Sequence, residues 1–213
     1  MNAFSFFSRF AATATLAAMA LFSPLSTAAD LPSDKSYVRL NQAQPADQAN
    51  QTEVLEFFAY SCPYCAMFAP HVDNWSKDLP EGVVLKRVPV AFNASMDDLQ
   101  RMYYTLEALD RLDLHQLLFD ALHQEKEPLF EADALTQWAV QHDIDADTFT
   151  QTFNSFGVQT KANRAKELVR LYQIDSTPTL AIGGRFLTSP ALAQGYEQAV
   201  QTAQQLLDYS LQQ

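Results

Sequence analysis

Cysteine, positive charge and long apolar runs are all scarce in this 213-residue chain. Cys62 and Cys65 are the whole cysteine complement, which excludes a multi-disulfide framework and a four-cysteine zinc site. The four histidines, at 71, 115, 123 and 142, show no H-x₃₋₅-H spacing. His71 lies six residues past Cys65, on the wrong helical face to join it, so no metal is expected. His115, His123 and His142 read as surface or packing residues. Fourteen Lys and Arg against 25 Asp and Glu leave a formal charge of −11. That balance argues against nucleic acid and anionic membrane surfaces as partners and fits a solvated acidic exterior. No internal repeat or low-complexity tract is present.

The apolar run nearest to a membrane span, residues 10–22, has 13 residues, short of the roughly 20 that a spanning helix needs. It follows Arg9 and precedes Ser23-Pro24-Leu25-Ser26-Thr27-Ala28-Ala29, small residues that suit a signal peptidase. Residues 1–29 are therefore expected to be an export signal cut after Ala29 or one residue earlier, with no stable membrane insertion. No cysteine near the cut supports a lipid anchor. About 180 residues remain, enough for one domain with a decorated core or two joined subdomains. Export implies an oxidising periplasm, where a cysteine pair is ordinarily a structural staple. Here two residues separate the cysteines, and so short a loop removes little chain entropy. Redox chemistry is the better use.

Along the chain, residues 30–52 form a polar arm with one edge strand expected at 37–40. Residues 54–60 are a nearly continuous apolar run and read as a strand buried on both faces. A helix should start at Pro63, whose missing N–H has no partner in a first turn. It carries Met67, Phe68, Val72 and Trp75 at helical spacing, with Pro70 expected to kink it. After Leu79-Pro80-Glu81-Gly82, residues 83–90 read as a second buried strand. Between 95 and 172 about five amphipathic helices follow, on stripes such as Leu99, Met102, Tyr103, Leu106, Leu109 and Leu114, Leu117, Leu118, Ala121, Leu122. Asp147 is the expected cap of a helix carrying Phe149, Phe153 and Phe156. Gly183-Gly184 between two short apolar runs predicts a hairpin, and Pro190 opens a final helix with Leu192, Tyr196, Val200 and Leu206 or Leu207 on its apolar side.

The order strand, helix, strand, helical block, hairpin, helix puts Cys62 at a helix N-terminus. Unpaired N–H groups and the helix dipole there favour an anion. Cys62 is thus the expected exposed thiolate and attacking sulfur, and Cys65, one turn inward, the shielded resolving one. Glu56 interrupts the apolar strand that feeds this helix, a position suited to exchanging a proton with Cys65. In Ser176-Thr177-Pro178-Thr179 the X-Pro bond tolerates cis, and the Thr177 backbone would then be free to pair with an extended peptide.

Together, the strand with Glu56, the Cys62-Pro63-Tyr64-Cys65 motif, Pro70 and Thr177-Pro178 resemble the thioredoxin superfamily. The export signal, the inserted helices, and the stretches Leu55-Glu56-Phe57-Phe58, Leu79-Pro80-Glu81-Gly82-Val83 and Phe153-Asn154-Ser155-Phe156 are similar to the periplasmic DsbA family of thiol:disulfide oxidoreductases. The resemblance covers nearly all of the mature chain. It implies an α/β, thioredoxin-like fold in two parts, residues 30–94 and 173–213, around an inserted all-helical domain at 95–172. It also implies that a Cys62–Cys65 disulfide oxidises newly exported proteins with free cysteines through a mixed disulfide at Cys62. Pro63, Tyr64, Thr177 and cis-Pro178 would line the substrate site. Reoxidation would come from a DsbB-like, quinone-linked membrane oxidase; no cofactor is implied and a monomer is expected.

The family's common inter-cysteine dipeptide is Pro-His, and threonine before the cis-proline is commoner in reductases and isomerases. Both departures point to a milder oxidant. The alternatives are a reductase or isomerase on the same fold and a non-catalytic binding module. A glutaredoxin shares Cys-Pro-Tyr-Cys but lacks the helical block and signal. A DsbC-like isomerase needs a dimerisation domain for which residues 30–53 are too few.

Overall fold

The computed structural model describes Met1, residues 31–48 and residues 50–213. The expected export signal lies outside the described residues. Five strands form one mixed sheet, β1 (Val38–Arg39), β2 (Thr52–Phe58), β3 (Val83–Pro89), β4 (Thr179–Ile182) and β5 (Phe186–Thr188), in the order β1-β5-β4-β2-β3. β2 lies between β4 and β3, with every residue from Glu53 to Phe58 buried. Val54 and Phe57 are fully buried, each contributing about 1.5–3 kcal/mol of burial free energy. The helix α1 (Pro63–Ser76) crosses from β2 to β3, which pair in parallel, as such a crossover requires. It continues through Pro70.

β3 departs from expectation. It is the sheet's edge and only half-buried over most of its length. Its adjacent Lys86 and Arg87 interrupt the apolar residues, and charged side chains are what an edge strand tolerates.

Between β3 and β4 lie α2 (Asp97–Ala108), α3 (His115–His123), α4 (Ala132–Gln141), α5 (Ala146–Phe153) and α6 (Phe156–Leu171), the five helices expected. Their stripes pack on the face of the sheet carrying Leu55 and Phe57, in one core cluster with Leu99, Met102, Trp138 and Phe149. Two expectations are corrected here. α5 is capped by Asp145, whose carboxylate accepts the Thr148 N–H at 2.9 Å, rather than by Asp147, which lies in the first turn. Phe156 is 86% exposed, because it opens α6 immediately after its Ser155 cap, ahead of the residues that meet the core; Leu117 of α3 is also exposed.

The β4–β5 turn is built from Gly183 and Gly184, both at positive φ, with the Arg185 N–H bonded to Ile182 O at 3.1 Å. Gly184 is also required by close approach: a Cβ there would lie 2.0 Å from the Gln44 carbonyl oxygen. Bonds from Gln44 N–H to Gly184 O and Leu40 N–H to Arg185 O dock the N-terminal arm along the hairpin. The final helix is two: α7 (Pro190–Ala193) stops at Gln194, which is left-handed, and α8 (Tyr196–Leu211) then packs Ala199, Ala203, Leu206 and Leu207 onto the other face of the sheet. Leu206 and Leu207 are fully buried, whereas Tyr196 and Val200, expected on the buried side, are only half-buried.

Candidate active site

β2 ends at Phe58, and a three-residue connector, Ala59-Tyr60-Ser61, leads to Cys62, the N-cap of α1, with Pro63 in the first turn. The Cys62 N–H bonds Ala59 O at 3.0 Å, and the Cys65 N–H bonds Cys62 O at 3.1 Å. Both cysteines are free thiols, Cys62 half-buried and Cys65 fully buried. The chain returns 115 residues later to place Thr177 against them, with the Cys62 thiol donating to Thr177 O at 3.4 Å. The Thr177–Pro178 bond is cis.

The two thiols have opposite acidities. Cys62 is lowered to about 6, first by the hydrogen bond it receives from the Cys65 thiol. Partial burial opposes this, while the Thr177 side chain and the Cys65 and Tyr64 backbone groups reinforce it. The helix end therefore acts behind the neighbouring thiol, a different ranking from the one the sequence suggested. Cys65 is held far above the ordinary thiol range, first by burial and then by the adjacent Cys62. One sulfur is an accessible thiolate near neutral pH, and the other a protonated donor that stabilises it.

Beside Cys62, a cavity of about 320 Å³ is lined by Tyr64, Thr177, Pro178, Pro190 and Tyr196 among others. Its wall is chiefly apolar, and Tyr64 is 62% exposed. Met67, expected on the buried stripe of α1, is also exposed, within contact of the Tyr196 hydroxyl.

Glu56 is 1% exposed. Its partner is Arg87, directly opposite in the parallel register, with Nε donating to Oε2 at 2.8 Å. Arg87 also pairs with Asp73 on α1. Burial raises the Glu56 carboxyl above its ordinary value, with Arg87 opposing. Among the described residues no hydrogen bond joins Glu56 to Cys65, so the arrangement under α1 is an ion-pair chain, Glu56–Arg87–Asp73.

Tyr60 is held from α3. His115 Nδ1 lies 2.7 Å from the Tyr60 hydroxyl, and His123 Nε2 lies 2.8 Å from its carbonyl oxygen. The sequence pointed to no role for Arg87, and His115 and His123 read from it only as surface or packing residues. The alignment of Glu56 with Arg87 was recoverable from the parallel pairing, and two histidines about two turns apart on one helix were a visible signal. Among the described residues no group of three or more His, Cys, Asp or Glu is arranged to hold a metal, and no helix is long and apolar enough to cross a membrane.

Comparison with known proteins agrees with this geometry. The DSBA-like thioredoxin domain matches residues 69–201. The thiol:disulfide interchange protein DsbA of Bordetella parapertussis is 46% identical over 202 residues, 94% of this chain and 95% of that protein. Its counterpart in Pseudomonas aeruginosa is 32% identical over 197 residues, 92% of this chain and 93% of that protein. The crystal structure of Pseudomonas aeruginosa DsbA superposes with a TM-score of 0.80 at 30% identity, over 84% of this chain and 93% of that one. The oxidoreductase NmDsbA1 of Neisseria meningitidis gives 0.76 at 28%, over 86% and 97%. A thioredoxin-like sheet interrupted by five helices, a Cys-Pro-Tyr-Cys pair at a helix start and these likenesses together place the chain in the DsbA family of thiol:disulfide oxidoreductases.

Proposed function

We propose that the protein is a periplasmic oxidase of exported proteins, working as a monomer, with residues 95–172 as its inserted helical domain. The observation that carries this reading is the pairing of a half-buried Cys62 sulfur, acidified to about 6, with a buried Cys65 that stays protonated. In the oxidised protein a substrate thiolate attacks Cys62, the reachable sulfur. The Cys62–Cys65 bond breaks, and Cys65 leaves with the electron pair and takes up one proton. A leaving group of such high pKa departs slowly unless it is protonated; Glu56, whose carboxyl burial raises while Arg87 opposes, is the proposed proton exchanger, without a direct hydrogen bond to Cys65. A second substrate thiolate then attacks the substrate sulfur of the mixed disulfide and expels Cys62. Cys62 leaves readily because its thiolate is stable. The substrate has lost two electrons and the dithiol has gained them.

Pro63, Tyr64, Thr177 and Pro178 would receive the substrate chain, with its apolar side chains in the adjoining cavity. A DsbB-like, quinone-linked membrane oxidase would return the dithiol to the disulfide. The second reading, a milder reductase or isomerase, is favoured by Pro63-Tyr64 and Thr177.

Equilibration with glutathione redox buffers across pH separates the two. Above the Cys62 pKa of about 6 the reduced pair keeps one proton, so reduction takes up one proton per two electrons. The potential should fall by roughly 30 mV per pH unit there and roughly 59 mV per unit below. An oxidase should lie at about −120 mV at pH 7, whereas a value between about −180 and about −270 mV would assign the protein to the isomerases or reductases.

A further inference from the structure

The helical block reaches the active-site connector at both polar handles of one residue. Tyr60 is 2% exposed and His115 4%. A buried carbonyl and a buried phenol each need a partner, and α3 supplies both. The contact at the Tyr60 carbonyl fixes a proton, because a carbonyl can only accept: His123 Nε2 carries the hydrogen. That donor survives protonation of the ring. Burial lowers His115 to about 3, so it meets the Tyr60 phenol as a neutral ring. Around it Phe58, Tyr103 and Phe119 stand at 5.0, 5.6 and 5.1 Å between ring centroids. His115 Nε2 is buried with no partner among the described residues. A phenylalanine would fill this aromatic site without that cost, so packing alone does not account for an imidazole.

Apart from the packing of the Tyr60 ring on Phe58 and Phe119, the connector has few hydrogen bonds among the described residues. Phe58 O accepts the Val90 N–H at 2.7 Å, Ala59 O accepts the Cys62 N–H, and Tyr60 stands between them and the reactive sulfur. We propose that His115 and His123 are positioning residues for Cys62: by holding the phenol and the carbonyl of Tyr60 they fix where α1 begins relative to Thr177. This rests on the reading of Cys62 as the attacking thiol. Released from α3, the connector would let the first turn of α1 fray. Cys62 would then lose aligned donors from Cys65 and Tyr64, the thiolate would be less favoured, and the disulfide would be a weaker oxidant.

The test compares the reduced wild-type protein with His123→Ala, His123→Gln and His115→Phe. The pH midpoint of Cys62 alkylation and the equilibrium constant against glutathione are read for each. Loss of one such hydrogen bond should raise the midpoint by about half to one pH unit and shift the equilibrium about 3- to 10-fold toward the protein disulfide. His123→Gln, whose amide still donates, should recover most of both shifts. His115→Phe should shift both in the same direction; His123, being only partly buried, gives variants that remain informative if His115→Phe does not fold. An unchanged Cys62 midpoint in His123→Ala, even with a lower Tm, would overturn the proposal by leaving the histidines a packing role alone. Should the wild-type protein not exchange with glutathione at all, the oxidase reading fails, and the midpoints still decide whether α3 positions the sulfur.

Discussion

Cys62→Ser is expected to abolish dithiol oxidation down to the buffer background, while Cys65→Ser should stop turnover by a different route, accumulating a stable mixed disulfide. The asymmetry follows from position. The nucleophile in thiol–disulfide exchange must be a thiolate that its partner can reach, and only Cys62 combines partial exposure with a pKa near 6. A serine hydroxyl there offers neither a redox partner nor an anion at neutral pH. With Cys65 replaced, Cys62 still attacks a disulfide such as oxidised glutathione, but no internal sulfur remains to release the adduct. Mass spectrometry of Cys65→Ser after that incubation should find close to one glutathione per chain, all at Cys62. A Cys65→Ser protein that turns over normally, or a Cys62→Ser protein that forms the adduct through Cys65, would reverse the roles.

The largest expected loss of stability is at Arg87. Arg87→Met keeps much of the side-chain volume and strands Glu56, 1% exposed, without its cation. Breaking a buried ion pair from one side costs about 3–5 kcal/mol, which for a domain of this size corresponds to roughly 2–4 °C of Tm for each kcal/mol. The sign with pH is definite. Without Arg87, which at present opposes the upward pull of burial, the folded Glu56 pKa rises further above its unfolded value. A carboxyl raised in the folded state costs stability as pH climbs from the unfolded pKa through the folded one. The Arg87→Met deficit should therefore be small near pH 4 and grow toward neutrality. Adding Glu56→Gln should restore part of the loss at pH 7, because an amide needs no counterion. Urea unfolding of the three proteins at both pH values measures this. A deficit under about 1 kcal/mol that does not change with pH would mean that Glu56 is solvated and not sealed beneath α1.

Where local chemistry dictates structure, the sequence was readable. The nearly continuous apolar run of β2, Pro63 after Cys62, the five helical stripes and the Gly183-Gly184 turn each express a preference that acts over a few residues. The resemblance of the motifs to one family added the arrangement of the parts. What escaped notice depends on pairing between distant segments. β3 is as apolar at its start as a buried strand, and only the sheet order leaves it at the edge. Arg87 acquires its meaning from lying opposite Glu56, and His115 and His123 from α3 folding back over the connector. Phe156 and Met67 fit apolar stripes by spacing, yet each sits where the helix face turns away from the core. Gln194 in a left-handed conformation splits the last helix, a break hinted at only by the Gly195 that follows. At the active site, Cys62, Cys65, Thr177 and Pro178 were legible and do come together, while the ranking of causes for the Cys62 acidity needed the geometry of the Cys65 thiol.

The most direct measurement is the pH dependence of iodoacetamide alkylation of the reduced protein, with the modified residue located by mass spectrometry. The expected result is a single labelled site, Cys62, with a midpoint near 6 and Cys65 untouched over the same range. Labelling of both cysteines at equal rates, or a Cys62 midpoint at about 8.5 like that of a free thiol, would contradict the division of a held thiolate from a buried proton donor.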